Sequence, residues 1–207
     1  MAKQRLARQD RARAIVQAAM GLFARRGFSG VKTRQIARAA GVSEALLFKC
    51  FPHKHSLYRA ILTEKIREAE HFDLQEEVLE KLDDESFFAA IAEKVLRRID
   101  ADDTFFRLLI HSALEGHALA EEFHRQRIDR RREQIERRIR RLFARRRWRA
   151  PVDPAHAARL FIGLLLGSAM QRCVFRESVV SKSSPERWAR TMARVFLGGL
   201  EARGEEE

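Results

Sequence analysis

Apolar residues recur through most of this chain at intervals of three and four. Nowhere do they alternate with polar ones for long enough to argue a strand. Ile15, Ala18, Ala19, Leu22 and Phe23 make the inward stripe of a first helix, stopped by Gly27 and turned by Ser29-Gly30. Ile36, Ala37 and Ala40 form the apolar side of a short second helix, which Gly41 ends by adopting positive φ. Val42 then packs inward and Ser43 caps a third helix. Leu47 and Phe51, four residues apart, seat that helix and leave Glu44, Ala45, Leu46, Phe48 and Lys49 presented outward. Pro52 interrupts, and a fourth helix opens at Lys54 and runs to about Phe72.

The same periodicity continues downstream. Ser86 caps a helix bearing Phe87, Phe88, Ile91, Val95, Leu96 and Ile99, and Asp103 or Thr104 starts another that ends near Gly116. From His117 to about Trp148 the pattern predicts one long, arginine-laden helix, with Phe123, Ile128, Ile135, Ile139, Leu142 and Phe143 inward. Asp153-Pro154 and Ser184-Pro185 each set a cap before a proline at the first helical position. The first opens the most apolar helix, to about Arg176; the second opens the last, with Trp188, Met192, Val195, Phe196 and Leu200 inward. The expected fold is all-α with about nine helices: an N-terminal three-helix unit over 1–57, a helical body over 58–203, and a disordered tail over 204–207.

Two short helices joined by a glycine-containing turn are the helix-turn-helix pattern, which sets its second helix in the DNA major groove. Charge agrees with that use. The 207 residues carry 41 Lys/Arg against 29 Asp/Glu, and 12 basic against 2 acidic residues fall by Tyr58. A second block, Arg125 to Arg149, holds 13 arginines against 3 acids, so the remainder is net acidic. A basic first quarter on an acidic body is the footprint of a nucleic-acid reader, because Lys and Arg displace condensed counterions from phosphate. The second block reads as a solvated face; an anionic partner or nonspecific DNA is the functional alternative.

Other classes find little support. The start lacks a secretory apolar region, and the longest apolar run, Leu160 to Met170, falls short of the roughly 18 residues of a membrane span. Cys50 and Cys173 lie in different expected domains, so no disulfide is predicted and a cytoplasmic protein without membrane contact is expected. No glycine-rich phosphate loop, nucleophile elbow or oriented carboxylate pair is present, so no catalytic site and no cofactor are expected. His117, Glu121 and His124 share a helical face but read as surface polar residues rather than metal ligands. Cys50 reads as a small filler rather than a redox switch.

The run A-x-x-L-F-A-R-R-G-F-x-G-V-x-T-R-Q-I-A-x-x-A-G-V-S-E-A-L-L-F-K-C-F-P-x-K, from about Ala18 to Leu57, resembles the DNA-binding domain of the tetracycline-repressor (TetR) family of bacterial regulators. It covers about a quarter of the chain without a gap. The resemblance implies a homodimer that reads double-stranded, palindromic operator DNA and leaves it when a small molecule binds the second domain. Residues 1–57 are then the DNA-binding domain and 58–203 the effector-binding and dimerisation domain. DNA-facing candidates are Thr33, Arg34, Ser43, Glu44, Ala45, Leu46, Phe48, Lys49, Cys50 and Lys54. Thr33 can cap its helix and also bond a phosphate, and Arg34 can reach a base edge. Lys54 matches a lysine that contacts phosphate in the family. Glu44 can accept from cytosine N4 but reads mainly as helix-start electrostatics, and Leu46 can touch a thymine methyl. The family usually has Tyr at Phe48, and Tyr or His at Cys50, so two phosphate donors are missing.

The effector pocket is expected among Phe88, Ile91, Phe106, Ile110, His111, Leu114, Phe123, Phe161 and Leu165, each of which also reads as plain core. Their character suggests an apolar effector. A helix apolar almost all round needs cover on most sides, so the one opening at Pro154 is either the centre of a monomeric bundle or half of a two-fold contact. For the second case Gly163, Gly167, Trp188, Met192 and Phe196 are the candidate interface. A helical enzyme and a protein-binding adaptor remain the competing classes, and the adaptor leaves the basic helix-turn-helix unexplained.

Overall fold

The computed structural model describes residues 2–72, 76–146 and 152–201, and these are helical with no strand among them. The expected end of the long helix at Trp148 and the tail 204–207 lie outside the described residues. The helices are α1 (Ala2–Arg26), α2 (Thr33–Ala39), α3 (Glu44–Cys50), α4 (Lys54–Phe72), α5 (Glu76–Glu80), α6 (Asp84–Ala101), α7 (Thr104–Leu114), α8 (Ala118–Phe123), α9 (Asp129–Arg146), α10 (Pro154–Cys173), α11 (Ser178–Lys182) and α12 (Pro185–Glu201). The excess over nine comes from the short α5 and α11, and from a single expected helix that is divided. Between α8 and α9 the segment His124–Ile128 is a π-helical turn, so the predicted run from His117 is broken by an i→i+5 insertion that a periodicity count does not register.

Caps explain most boundaries. Gly27, Gly41 and Gly116 all have positive φ, as the stop positions require. Asp153 accepts from the Ala155 amide at 2.7 Å with Pro154 behind it, and Ser184 accepts from the Arg187 amide at 3.2 Å. At α6 the cap is Asp83 rather than Ser86: its carboxylate accepts from the Ser86 amide at 2.8 Å and the Ser86 hydroxyl at 2.9 Å. Those two hydrogen bonds hold the Asp83 carboxyl below its ordinary pKa. Its contribution is therefore present above the ordinary carboxylate pKa and is lost as pH falls through the lowered one. Asp83→Ala should cost about 1 kcal/mol near neutral pH, and the deficit measured by urea unfolding should shrink in strong acid.

The chain forms two compact units. One comprises residues 1–72 and 104–125, the other 73–103 and 126–207. In the first of these the helix-turn-helix is packed with α4, α7 and α8. In this first unit α1 packs against α2, α4 and α7, around the fully buried Ile15, Phe23, Ile36, Leu47, Leu57, Ile61 and Leu108.

In the second unit α6 packs against both α10 and α12, and α9 packs against α10. Phe88 on α6 is fully buried, with its ring edge-on to Phe161 at 4.9 Å and 5.0 Å from Phe196. The arginine block is largely neutralised here. Arg137, Arg141 and Arg145 on α9 pair with Glu76, Glu80 and Asp84 at 2.8, 3.0 and 2.9 Å. One helical stripe of α9 thus meets two glutamates of α5 and the first residue of α6. Beneath them the buried Arg138 donates to Asp84 at 2.6 Å and to the Leu82 carbonyl at 2.5 Å.

Candidate nucleic-acid interface

The third helix is held from below and capped from the front. Leu47 is buried and Phe51 packs beside it, while the Ser43 hydroxyl accepts from the Leu46 amide at 3.2 Å. That leaves Ala45, Phe48 and Lys49 exposed on the opposite side, with Leu46 and Cys50 partly covered. Phe48 is 44% exposed, unusual for a ring of that size on a helix of seven residues. On α2, Arg34 and Arg38 are exposed. The first unit thus offers an apolar ring and several cations at one short helix-turn-helix, where an anionic duplex can supply phosphates and base edges.

Two expected phosphate contacts are differently placed. Thr33 is the first residue of α2 and not its cap; the cap is Lys32, whose amide donates to Gln35 Oε1 at 2.9 Å. The Thr33 hydroxyl instead donates to Glu44 Oε1 across the two helices at 2.6 Å. A hydroxyl has one proton, so in this arrangement none is left for a phosphate.

Lys54 is turned inward. Its ammonium donates to the Phe28 carbonyl and lies 4.1 Å from the Phe28 ring centre. Burial pushes its pKa below the ordinary lysine value, with Glu115 partly opposing. Both backbone groups of Phe28 are engaged, since its amide donates to Glu115 Oε2 at 2.8 Å. The His117 and Tyr58 rings both pack edge-on to the Phe28 ring, at 4.3 and 4.7 Å. Among the described residues the buried Tyr58 hydroxyl has no hydrogen-bond partner, and burial raises its pKa, helped by Glu115.

Sequence reasoning missed this knot around the α1–α2 turn. Glu115 is 87 residues from Phe28, and no local signal marks a carboxylate that caps a distant loop. His117, weighed as a metal ligand, stacks in the knot. Among the described residues no group of three His, Cys, Asp or Glu is placed to hold a metal.

The expected effector residues fall into both units. Phe88, Ile91, Phe161 and Leu165 lie in the core of the second unit. Phe106, Ile110, His111, Leu114 and Phe123 belong to the first, where Phe123 stacks on Phe105 at 5.2 Å and Leu114 is 81% exposed. The interface candidates divide as well. Gly163 and Gly167 are exposed, and a Cβ at either would meet nothing within 4 Å. Met192 and Phe196 are instead buried in their own unit's core, and the partly buried Trp188 donates its indole N–H to Ser168 at 3.1 Å. The outward face of α12 is Thr191, Arg194, Val195, Gly198 and Gly199. Among the described residues no helix is long and apolar enough to cross a membrane.

A helix-turn-helix seated in one helical unit, interleaved along the chain with a second all-helical unit, defines a class of two-unit helical proteins built around a helix-turn-helix. Residues 15–61 match the family described as bacterial regulatory proteins, tetR family. Residues 87–199, more than half the chain, match the AefR-like transcriptional repressor C-terminal domain. The chain belongs to the TetR family. It is 46% identical over 50 residues to the HTH-type transcriptional regulator RutR of Escherichia coli (strain K12), 24% of each chain, so the match spans about a quarter of that relative's length. Its fold is that of AibR, solved with isovaleryl coenzyme A and operator DNA: 20% identity, TM-score 0.67, covering 89% of this chain and 97% of that one. It is also that of the regulator FadR from Bacillus subtilis, solved with stearoyl-CoA: 16% identity, TM-score 0.67, covering 90% and 97%.

Proposed function

We propose that this chain is a cytoplasmic, non-enzymatic transcriptional repressor, acting as a homodimer on a palindromic operator and released by a small effector. Residues 1–57 read DNA, and residues 58–203 bind the effector and the second subunit. The observation that carries the reading is the exposed side of α3, with Phe48 and Lys49 uncovered and Arg34 exposed on α2, in a segment holding 12 basic and 2 acidic residues by Tyr58. Selecting genomic fragments bound by the purified protein tests it directly. A discrete set of palindromic sites, with affinity falling steeply as salt rises, is the expected result; turnover of a metabolite without DNA binding would favour the enzyme reading.

Dimerisation is supported by an uncovered stripe on α10, where Leu160 and Leu164 are 63% and 43% exposed along with the exposed Gly163 and Gly167. On α12, Val195 is 67% exposed beside the open Gly198 and Gly199. Large apolar side chains beside glycines let two helices approach closely and bury area on both. Gly167→Leu has room within its own subunit, so it should leave the monomer folded and weaken self-association by tenfold or more, read by sedimentation equilibrium. An unchanged dimer would move the interface elsewhere. For the effector, the apolar character of Phe106, Ile110 and Phe123 supports a largely apolar ligand. The acyl-CoA thioesters held by AibR and FadR make a first panel for release of the selected operator.

A further inference from the structure

We infer that Glu44 is a specificity-determining residue that reads a cytosine in each operator half-site, and that Thr33 positions it for that contact. The inference rests on the DNA-binding reading above and adds the base. Thr33 opens α2 and Glu44 opens α3, and the hydroxyl of one donates to a carboxylate oxygen of the other at 2.6 Å. The bond crosses the turn of the helix-turn-helix, so it fixes the carboxylate relative to both helices. Only Oε1 is engaged by Thr33. Glu44 is half-buried and shares the short third helix with the exposed Ala45, Phe48 and Lys49.

A carboxylate held there has few compatible surroundings. An ionised carboxylate only accepts, and a phosphate oxygen also only accepts, so the two repel. In the major groove the donors are cytosine N4 and adenine N6. Adenine sets its N7 acceptor next to N6, which opposes a second carboxylate oxygen. Guanine shows acceptors at N7 and O6, and thymine an acceptor and a methyl group. Cytosine offers a donor with no neighbouring acceptor on its own edge. A rigid carboxylate therefore prefers cytosine, and the Thr33 bond supplies the rigidity by holding Glu44 back from free rotation into solvent.

Selection from a randomised duplex pool, followed by titration of single-base variants of the winning site, tests the inference with the full-length protein. Wild type should require cytosine at one position per half-site, with a loss of about tenfold to a hundredfold for any other base. Glu44→Gln should shift that position to adenine, whose N6 and N7 an amide matches bidentately, and leave the other positions unchanged. Thr33→Val, with folding verified by circular dichroism, should flatten the preference at that position while other positions keep theirs. The inference is overturned if Glu44→Gln selects the same sequence as wild type. It is equally overturned if Glu44→Ala strengthens binding to all sequences alike, since the carboxylate would then act only as a repelling charge. A wild type that selects no sequence would instead remove the DNA-binding reading itself.

Discussion

Gly27→Ala should destabilise the first unit by about 3 kcal/mol, while the chemically identical change at Gly41 should cost only about 1 kcal/mol. Both glycines have positive φ, +69° and +65°, so both substitutions carry the strain of placing a Cβ in the left-handed region. They differ in what that Cβ meets. At Gly41 nothing lies within 4 Å; at Gly27 it would collide with Glu115 Oε1 and press on its carboxyl carbon. The Glu115 side chain can move away, but only by releasing the Phe28 amide it accepts from at 2.8 Å. A buried amide left without a partner costs about 1–3 kcal/mol. Parallel urea titrations of the two variants isolate that difference. Equal losses would mean that the Glu115 contact contributes nothing to holding the turn.

The second large effect is expected at Arg172, whose side chain is 3% exposed. Its guanidinium forks onto Asp100, with Nε donating to Oδ1 at 2.8 Å, and it also donates to the carbonyls of Val180 and Ser183. One side chain thus ties α6, α10 and the segment around α11 together. Arg172→Ala should cost about 3 kcal/mol, at the low end for breaking a buried pair because Asp100 keeps partial access to water. Arg172→Lys should recover little, since an ammonium cannot span a carboxylate and two carbonyls in a fixed plane. A thermal melt showing full rescue by lysine would reduce the site to a simple charge pair.

The helix-turn-helix was legible because its signals are local. Gly41, Ser43, Leu47 and Phe51 act within a few residues, and each sits as the periodicity requires. Asp153-Pro154 and Ser184-Pro185 were readable for the same reason. What escaped depends on separation in sequence. The inward turn of Lys54 needs Phe28 as a partner, and the Thr33–Glu44 bond needs two helix starts brought side by side. Nor does periodicity tell which side of an apolar helix its own chain will cover. Met192 and Phe196 face their own core, while Leu160, Leu164 and Val195 stay open. Arg137, Arg141 and Arg145 on α9 belong to the solvated face that their pattern predicts, but their acidic partners lie about sixty residues upstream, where no local signal marks them.

The pairing of α9 with α5 has a geometric ambiguity. Because Arg137 and Arg141 on α9 and their partners Glu76 and Glu80 on α5 both step by four, sliding α5 by a single turn would still match Glu80 with Arg137. Asp84, which pairs with Arg145, opens α6 beyond the turn at 81–83. Exposed pairs of this kind, worth little individually, therefore favour contact between the helices without choosing an alignment. Arg138 supplies the choice. Its buried guanidinium needs both the Asp84 carboxylate and the Leu82 carbonyl, and a one-turn slip would offer that combination nowhere. The surface arginines work like the teeth of a rack, and the single buried one is the pin that stops it at one notch.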